Sequence, residues 1–432
     1  MQLSSPTLLK QFSNVLQGEL FPAIASATGP LSKHSRLLIS IVSLVPLAAF
    51  AGSRAPTGRP RRDRQSLIRS FLAKAVYNIT TTRQLLDRLR SDEQLRRLCG
   101  WDSLAAIPAE STFSRAFAAF AAAGTAERIH ETIIRNTQQN RTFDYIARDA
   151  TAIEARERFP EKEEHTSSGK KPKKAKPPTK SKKKQTKKQP RKPFGPYRRK
   201  EGSKKEGSKK EGSKKEGSKK EGSKKEGSIK EGAYGPNRRA KTADRGTRIE
   251  RQHHMTLDAM LADLPRNCSI GVKRSSKGHQ QYWRGYKLHW DVASNGRIPI
   301  SCTLTAASLH DSQVAIPLME ISKRRVKWLC DVMDSAYDAA AIREKCKQLK
   351  HEALIQPPER PNSKEPAVWT DEQKERFKIR TIVEQQNGRL KDEFGGRIIY
   401  VRGATKVMAH LMFGIVALTV DQIMRNSKRS PG

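Results

Sequence analysis

The sequence predicts an α/β fold with a mixed five-stranded sheet and flanking helices, preceded by an all-α N-terminal region. Apolar residues recur at helical spacing through the first 140 residues. From residue 141 onward, short apolar and β-branched runs alternate with helical patterns. A Lys-, Gly- and Ser-rich stretch at 161–243 interrupts this second part. We therefore predict a helical region at 1–140, an α/β domain at 141–426 with an insert at 161–243, and a basic tail at 427–432.

The helical region contains two marked amphipathic segments. In the first, at residues 81–101, leucines form one apolar stripe: Leu85, Leu86, Leu89, Leu95 and Leu98. Ser111 is expected to cap a second helix, whose aromatic residues share one face: Phe113, Phe117 and Phe120. These aromatic side chains fit a protein core better than a surface that stacks on nucleotides. The basic stretch RAPTGRPRRDRQ at 54–65 is expected to contact phosphates.

The insert is strongly cationic and repetitive. Residues 161–240 contain 30 Lys or Arg and 10 Glu but no Asp, so they carry about half of the formal net charge of +41. The motif EGSKK repeats every five residues between 201 and 225, a period that fits neither an amphipathic helix nor a strand. Because there is little apolar surface to offset the entropy of ordering, we expect disorder. Two roles remain open: a flexible cationic arm on DNA, or a tolerated surface insertion.

The α/β part begins with a strand around Asp149 and resumes after the insert with a hairpin, whose turn is Asn295-Gly296. A helix follows, then the buried strand VKWLCDVM before Asp334, a helix, the strand EALIQP, a helix around Glu384 and an apolar helix at 404–425. The order strand, hairpin, helix, strand, helix, strand, helix is typical of a ribonuclease-H-like domain. In that fold the insert can leave the sheet without breaking its core.

Three acidic residues are candidate metal ligands: Asp149, Asp334 and Glu384. Each lies at the end of an apolar strand or on a helix face. At about 100° per residue, three polar neighbours share the stripe of Glu384 on its helix: Arg380, Asn387 and Lys391. Carboxylate oxygens hold Mg²⁺, and nearby cations hold the phosphates of a nucleic acid. The pattern thus indicates phosphoryl transfer, while the competing interpretation is a solvated helix face with charge pairs.

Asp144 and Asp331 are alternatives to the two aspartates. Successive strand residues point to opposite faces, so Asp144 and Asp149 are expected on opposite faces, as are Asp331 and Asp334. In each pair, one aspartate is expected to face the metal ions. The ten histidines lack an HExxH spacing, which argues against a zinc site. The sequence also lacks a Walker lysine loop, which argues against an ATP-driven recombination motor.

Five motifs together resemble the insertion-sequence DDE transposases. Arg380, Glu384 and Lys391 match the family's Tyr-Arg-Glu-Lys signature, in which Phe377 replaces the tyrosine. The other four motifs are Asp149-Ala150-Thr151, the strand at 283–289, the His-Asp turn at 309–312, and Asp334-Ser335-Ala336-Tyr337-Asp338, in which Ala336 replaces a glycine. The motifs occur in the family's order over about residues 70–425.

The resemblance implies a transposase that moves an insertion sequence by cut-and-paste transposition, with metal-dependent cleavage and strand transfer at terminal inverted repeats. The resemblance implies three catalytic residues: Asp149, Asp334 and Glu384. It implies that the same residues bind two Mg²⁺ ions, for which Mn²⁺ would substitute. The residues implied for DNA binding are Arg380, Lys391 and Lys287. The implied partners are double-stranded DNA, as transposon ends and target, and a second copy of the chain in a synaptic homodimer. The helical region at 1–140 would contribute DNA binding.

Composition agrees with a nucleic-acid partner. A formal charge of +41 on 432 residues implies a polyanion, either DNA or an anionic membrane surface. The best candidate for a membrane span, residues 37–51, is short and contains Pro46, so no membrane span is expected. Five scattered cysteines without CxxC spacing predict reduced thiols, hence a cytoplasmic, nucleoid-associated protein. Two alternatives stay open: a decayed transposase, and a basic DNA-binding protein without enzymatic activity.

Overall fold

The computed structural model describes residues 30–51, 63–157, 246–274, 278–357 and 369–429. The predicted insert at 161–243 and most of the basic stretch at 54–65 lie outside these residues. The described residues all belong to one compact unit.

The N-terminal region is helical, as predicted. Its helices, within the described ranges, are α1 (Lys33–Leu44), α2 (Arg64–Val76), α3 (Thr82–Ser91), α4 (Glu93–Leu98), α5 (Glu110–Ala122) and α6 (Thr125–Gln138). Helix α3 begins with a capping box, because Thr81 Oγ1 accepts from Gln84 N at 3.1 Å and Gln84 Oε1 accepts from Thr81 N at 3.3 Å. The predicted leucine stripe on α3 and α4 is buried. The phenylalanines of α5 pack into the same core.

The remaining described residues form a mixed α/β structure. In chain order its elements are β1 (Thr142–Glu154), α7 (Arg248–Gln252), α8 (Leu257–Asp263), β2 (Ser269–Arg274), β3 (Gln280–Ala293), β4 (Ile298–Ala306), α9 (Ser312–Lys323), β5 (Lys327–Met333), α10 (Ala340–Leu349), β6 (Glu352–Ile355), α11 (Asp371–Phe377), α12 (Thr381–Glu393) and α13 (Ala404–Arg429). A 3-10 turn, Ser335–Tyr337, follows β5, and a second, Lys378–Arg380, leads into α12.

The sheet is mixed, as predicted, but the described residues contribute six strands rather than five. Strands β4, β3, β1, β5 and β6 lie side by side in that order, with β1, β5 and β6 parallel and β3 antiparallel to β1 and β4. The extra strand, β2, pairs with the part of β3 that extends past β1 and β4. Its apolar residues Ile270 and Val272 are 49% and 52% exposed. A strand held by backbone pairing alone buries no apolar face, so its sequence carries only a weak strand signal.

Helix α13 is the central helix of the core. Its 26 residues pack against α2, α5, α6 and β4, and Phe413 lies 5.8 Å from the ring of Phe71. The expectation that no stretch is long enough to span a bilayer is wrong, because this helix is long and apolar enough to do so. However, 83% of its apolar window is buried inside the protein. Burial on every side explains its apolar composition.

A buried ion network joins β1, β3 and β5. Arg148 Nη2 donates to Asp291 Oδ2 at 2.9 Å, and Arg148 Nη1 donates to Asp331 Oδ1 at 3.2 Å. All three side chains are fully buried. The other oxygen of Asp331 accepts from Trp328 Nε1 at 3.0 Å and lies 3.1 Å from His351 Nδ1. One cation thus compensates two carboxylates at the centre of the sheet.

Gly285 permits the close pairing of β3 with β1. Its φ is 150°, and a Cβ there would lie 2.1 Å from the carbonyl oxygen of Ile153. We expect Gly285→Ala to destabilise the protein by more than about 1 kcal/mol, because the strands would have to separate. Gly388→Ala is the matched control, since Gly388 lies in α12 with nothing within 4 Å of an added Cβ. This control should gain about 0.5–1 kcal/mol from helix propensity.

The free energies of unfolding of both variants can be measured by urea denaturation. Equal stability of Gly285→Ala and the wild type would show that β1 and β3 do not approach this closely.

Candidate active site

The parallel pairing of β1 with β5 brings Asp149 and Asp334 side by side. Ala147 pairs with Val332, and each aspartate follows two residues later on its own segment. Asp334 lies just beyond β5, where its Oδ1 accepts from Ala336 N at 3.0 Å. This bond caps the 3-10 turn and fixes the orientation of the carboxylate. Backbone pairing therefore holds Asp149 beside Asp334. Asp334 follows the end of β5, whereas Asp149 lies within β1, which continues to Glu154, so the expectation that Asp149 ends a strand is wrong.

Arg380 brings the third acidic residue to the same place. Its Nη2 donates to Asp149 Oδ1 at 3.1 Å and to Asp334 Oδ2 at 3.5 Å. Its Nη1 donates to Glu384 Oε1 at 2.5 Å, one helical turn further along. Carboxylates from β1, from the turn after β5 and from α12 thus surround one guanidinium group. Glu384 is the most exposed of the three, with 54% of its side chain accessible to solvent.

Asn387 attaches the helix to the sheet at this site. Its Nδ2 donates to Asp149 Oδ2 at 3.2 Å, while its Oδ1 accepts from Trp290 Nε1 at 3.0 Å. Trp290 is the strand partner of Asp149 and is fully buried. Asn387 was not among the predicted site residues. It follows Glu384 by three residues and lies on the same stripe of the helix. That spacing is the signal that could have identified it.

The site favours a cation because its carboxylates are buried. Burial raises the pKa of Asp149, Arg380 lowers it and the charge of Asp334 raises it again, and together they leave this pKa at about 6. Burial also raises the pKa of Asp334 above its usual value, and Arg380 again opposes the change. Two neighbouring carboxylates in a low-dielectric setting disfavour each other's charged form. A positive group between them lowers that cost.

The carboxylate oxygens of the site are suitable ligands for a hard divalent cation. Among the described residues, no set of three His, Cys, Asp or Glu side chains is arranged to hold a metal ion. The guanidinium of Arg380 instead occupies the position between Asp149 and Asp334 and acts as a stand-in cation. The donor set consists of carboxylate oxygens, which Mg²⁺ prefers.

The structure does not bring the other two predicted DNA-binding residues to the carboxylates. Lys287 Nζ donates to Asp311 Oδ1 at 2.8 Å and to the carbonyl oxygen of Leu309 at 2.9 Å, at the edge of the site. Lys391 lies two turns beyond Glu384, about 10 Å along the helix axis. Burial lowers the pKa of Lys391, and the charges of Arg397 and Lys273 lower it further. Lys391 therefore belongs to a separate basic surface beside β2.

Both alternative aspartates are engaged elsewhere. Asp331 is fully buried and uses both oxygens within the Arg148 network. Although burial raises its pKa, the contacts with His351 and Arg148 outweigh that effect and lower the pKa below its usual value. Asp144 is exposed and accepts from Asn295 Nδ2 at 2.9 Å. Neither carboxylate contacts Arg380.

Asp149→Asn should stabilise the metal-free protein at neutral pH. The pKa of Asp149 is near 6 in the folded protein and near 4 in the unfolded chain. The protonated carboxyl group is therefore favoured by folding, and its contribution to stability is fully present below pH 4 and is lost as the pH rises through 6. At pH 7.5 the charged carboxylate is destabilising, so the variant should gain on the order of 2 kcal/mol. The gain should vanish at pH 3.5. Urea denaturation in EDTA at both pH values measures it, and a variant less stable at pH 7.5 would refute the desolvation argument.

Two protein-family models match the chain. The Transposase DDE domain matches residues 251–420, and the Transposase domain (DUF772) matches residues 28–119. No curated protein and no solved structure matches the chain. The first match contains Asp334, Arg380 and Glu384 but begins after the insert, so Asp149 lies outside it.

These matches, which together cover more than half of the chain, define an enzyme that cleaves and transfers DNA strands. The chain belongs to the insertion-sequence DDE transposases. Members of this family act on DNA and generally use divalent metal ions.

Proposed function

We propose that this transposase moves an insertion sequence by cut-and-paste transposition, with cleavage and strand transfer at terminal inverted repeats. One observation carries the proposal: carboxylates from three separate elements converge on the guanidinium of Arg380. They belong to Asp149, Asp334 and Glu384. The strand order β4-β3-β1-β5-β6, with helices on its faces, supports a ribonuclease-H-like domain. We assign Asp149, Asp334 and Glu384 as the catalytic residues.

The same three residues would hold two Mg²⁺ ions, for which Mn²⁺ would substitute. When bound, such ions activate the attacking hydroxyl and stabilise charge on the transferred phosphate. Asp149 and Asp334 are preorganised by the strands, whereas Glu384 reaches the site from a more exposed position on α12. Arg380 would leave the carboxylates and bind a DNA phosphate through two parallel N–H bonds.

Double-stranded DNA is the proposed substrate, as transposon ends and as target. Joining two ends in concert requires two active sites, so we propose a homodimer in the synaptic complex. Because the proposed target is chromosomal DNA, we propose that the protein associates with the nucleoid in the cytoplasm. The net charge of +41 supports contact with a polyanion outside the active site as well.

A non-cleaving DNA-binding protein is the second candidate. It is favoured by the ion pairs of Arg380, which satisfy the carboxylates without any metal ion. A labelled duplex that carries the element's terminal sequence and its flanking DNA separates the two functions. We expect Mg²⁺-dependent nicks that leave a 3′-hydroxyl at the element's end, followed by joining to a target duplex. Binding without cleavage in both Mg²⁺ and Mn²⁺ would establish the second candidate.

Arg380→Ala should separate metal binding from DNA binding. Removing the guanidinium frees the carboxylates, so we expect the variant to bind Mn²⁺ more tightly than the wild type in the absence of DNA. Cleavage should nevertheless slow, because a phosphate contact is lost. Lys391→Ala is the comparison, since Lys391 lies two turns away: DNA affinity should fall while Mn²⁺ affinity stays unchanged. Weaker Mn²⁺ binding by Arg380→Ala would contradict a role of Arg380 as a stand-in cation.

A further inference from the structure

Asp311, at the start of α9, carries a fourth carboxylate beside the three candidate metal ligands. Its Oδ1 accepts from Lys287 Nζ at 2.8 Å, and 22% of its side chain is exposed. Although Asp311 stands at the N-cap position of α9, its side chain makes no capping hydrogen bond there. The ion pair with Lys287, and not the helix, therefore holds this carboxylate in place.

Lys287 is engaged from two sides within the protein. Its Nζ also donates to the carbonyl oxygen of Leu309 at 2.9 Å, and only 16% of its side chain is exposed. The imidazole of His289 lies 3.9 Å from the same oxygen of Asp311. Burial lowers the pKa of His289 to about 4, although the charge of Asp311 opposes this change, so the imidazole is neutral near pH 7. Lys287 thus supplies the positive charge at Asp311.

The charge of Asp311 reaches the proposed metal ligands through buried groups. Tyr337 is fully buried, and its hydroxyl has no hydrogen-bond partner among the described residues. After burial, the charges of Asp311, Asp149 and Asp334 raise the pKa of Tyr337, so the phenol lies close to all three. Burial is also the largest cause that raises the pKa of Asp149 and of Asp334, and the charge of Asp311 adds to it in both. Charges interact more strongly across buried groups than across water.

We propose that Lys287 and Asp311 are positioning residues that set the charge of the active site. Lys287 neutralises Asp311 and, through its bond to Leu309, holds this carboxylate away from the metal site. The inference rests on the proposed function, because it concerns the affinity of the same site for divalent cations. It also assigns Lys287 to the electrostatics of the site, whereas the sequence predicted contact with DNA.

Mn²⁺ affinity tests the proposal, measured by electron paramagnetic resonance on the full-length protein bound to a duplex with a cleaved element end. Lys287→Met should bind Mn²⁺ at least threefold more tightly than the wild type, because Asp311 becomes an uncompensated negative charge. Asp311→Asn should bind Mn²⁺ at least threefold more weakly, because the charge of Lys287 remains. The double variant should return to within twofold of the wild type. If the pair only anchored the turn, both single variants would lose affinity, and that result would overturn the proposal.

Lys345→Met is the matched control. Lys345 Nζ pairs with Glu320 Oε1 at 2.5 Å, and the two side chains are 13% and 20% exposed. The pair is as deeply buried as that of Lys287, but Glu320 lies about 13 Å along α9 from Asp311. Both lysine variants should lower the Tm by similar amounts, whereas only Lys287→Met should change the affinity for Mn²⁺. Equal Mn²⁺ affinities of the two variants would overturn the proposal.

DNA titrations in EDTA at several salt concentrations test the assignment of Lys287. Lys287→Met should match Lys345→Met in DNA affinity and in the slope of log K against log salt. A lost phosphate contact would instead reduce that slope by about 0.9. A reduced slope in Lys287→Met alone would overturn the proposal and would assign Lys287 to DNA binding.

Failure of this inference differs from failure of the proposed function. Normal Mn²⁺ binding and cleavage by the wild type, with unchanged Mn²⁺ affinity in Lys287→Met, would refute the positioning role alone. A wild type that neither binds Mn²⁺ on a DNA end nor cleaves DNA would contradict both.

Discussion

Asp149→Asn, Asp334→Asn and Glu384→Gln should each abolish DNA cleavage without preventing folding or DNA binding. Each change keeps the shape of the side chain and removes a charge that the metal ions require. Loss of several kcal/mol of transition-state stabilisation corresponds to a rate decrease on the order of 10³-fold or more. The measurement is the single-turnover cleavage rate on an end-containing duplex with Mg²⁺, alongside DNA affinity in EDTA.

Asp144→Asn is the matched control, because Asp144 lies on the same strand as Asp149 but is exposed and bonded to Asn295. Its cleavage rate should equal that of the wild type. Wild-type cleavage by Asp334→Asn would contradict the assignment and would direct attention to Asp331.

Arg148→Met should be among the most destabilising single substitutions in this protein. It leaves Asp291 and Asp331 buried without their shared cation. Breaking a buried ion pair by removing one partner costs about 3–5 kcal/mol. We expect a loss of this size in the free energy of unfolding, measured by chemical denaturation.

Arg135→Met provides the comparison, since Arg135 is half exposed and pairs with Glu131 on the surface of α6. A surface pair of this kind contributes about 0–1 kcal/mol, so the control should remain close to the wild type. A cost below about 1 kcal/mol for Arg148→Met would mean that water or protonation neutralises the two aspartates.

Much of the element order could be predicted because it depends on local pattern. Apolar periodicity located the leucine stripe, and the turn at Asn295 located the hairpin between β3 and β4. Local signals failed at boundaries: Ser111, the expected cap, lies inside α5, which begins after Ala109. They also failed at β2, whose stabilisation comes from backbone pairing with a distant strand. Length and composition alone would have allowed α13 to be a membrane helix, and only its burial shows that it is a core helix.

Part of the candidate site could be predicted from the sequence, also because it depends on a local pattern. Helical periodicity placed Arg380, Glu384 and Asn387 on one stripe, and the contacts of these residues follow it. The same periodicity included Lys391, but an angular stripe does not record distance along the axis, and two turns separate Lys391 from Glu384. The partnership of Arg148 with Asp291 and Asp331 could not be predicted, because it depends on residues from three strands that are far apart in sequence.

The most direct test of the central claim is the number of Mn²⁺ ions bound per chain in the presence of a DNA end, measured together with cleavage. The claim is that Asp149, Asp334 and Glu384 hold the metal ions that cleave DNA. We predict two ions in the wild type and in Asp144→Asn, and a loss of Mn²⁺ binding in Asp149→Asn that parallels the loss of cleavage. Wild-type Mn²⁺ binding by Asp149→Asn, or cleavage by the wild type in excess EDTA, would contradict the claim.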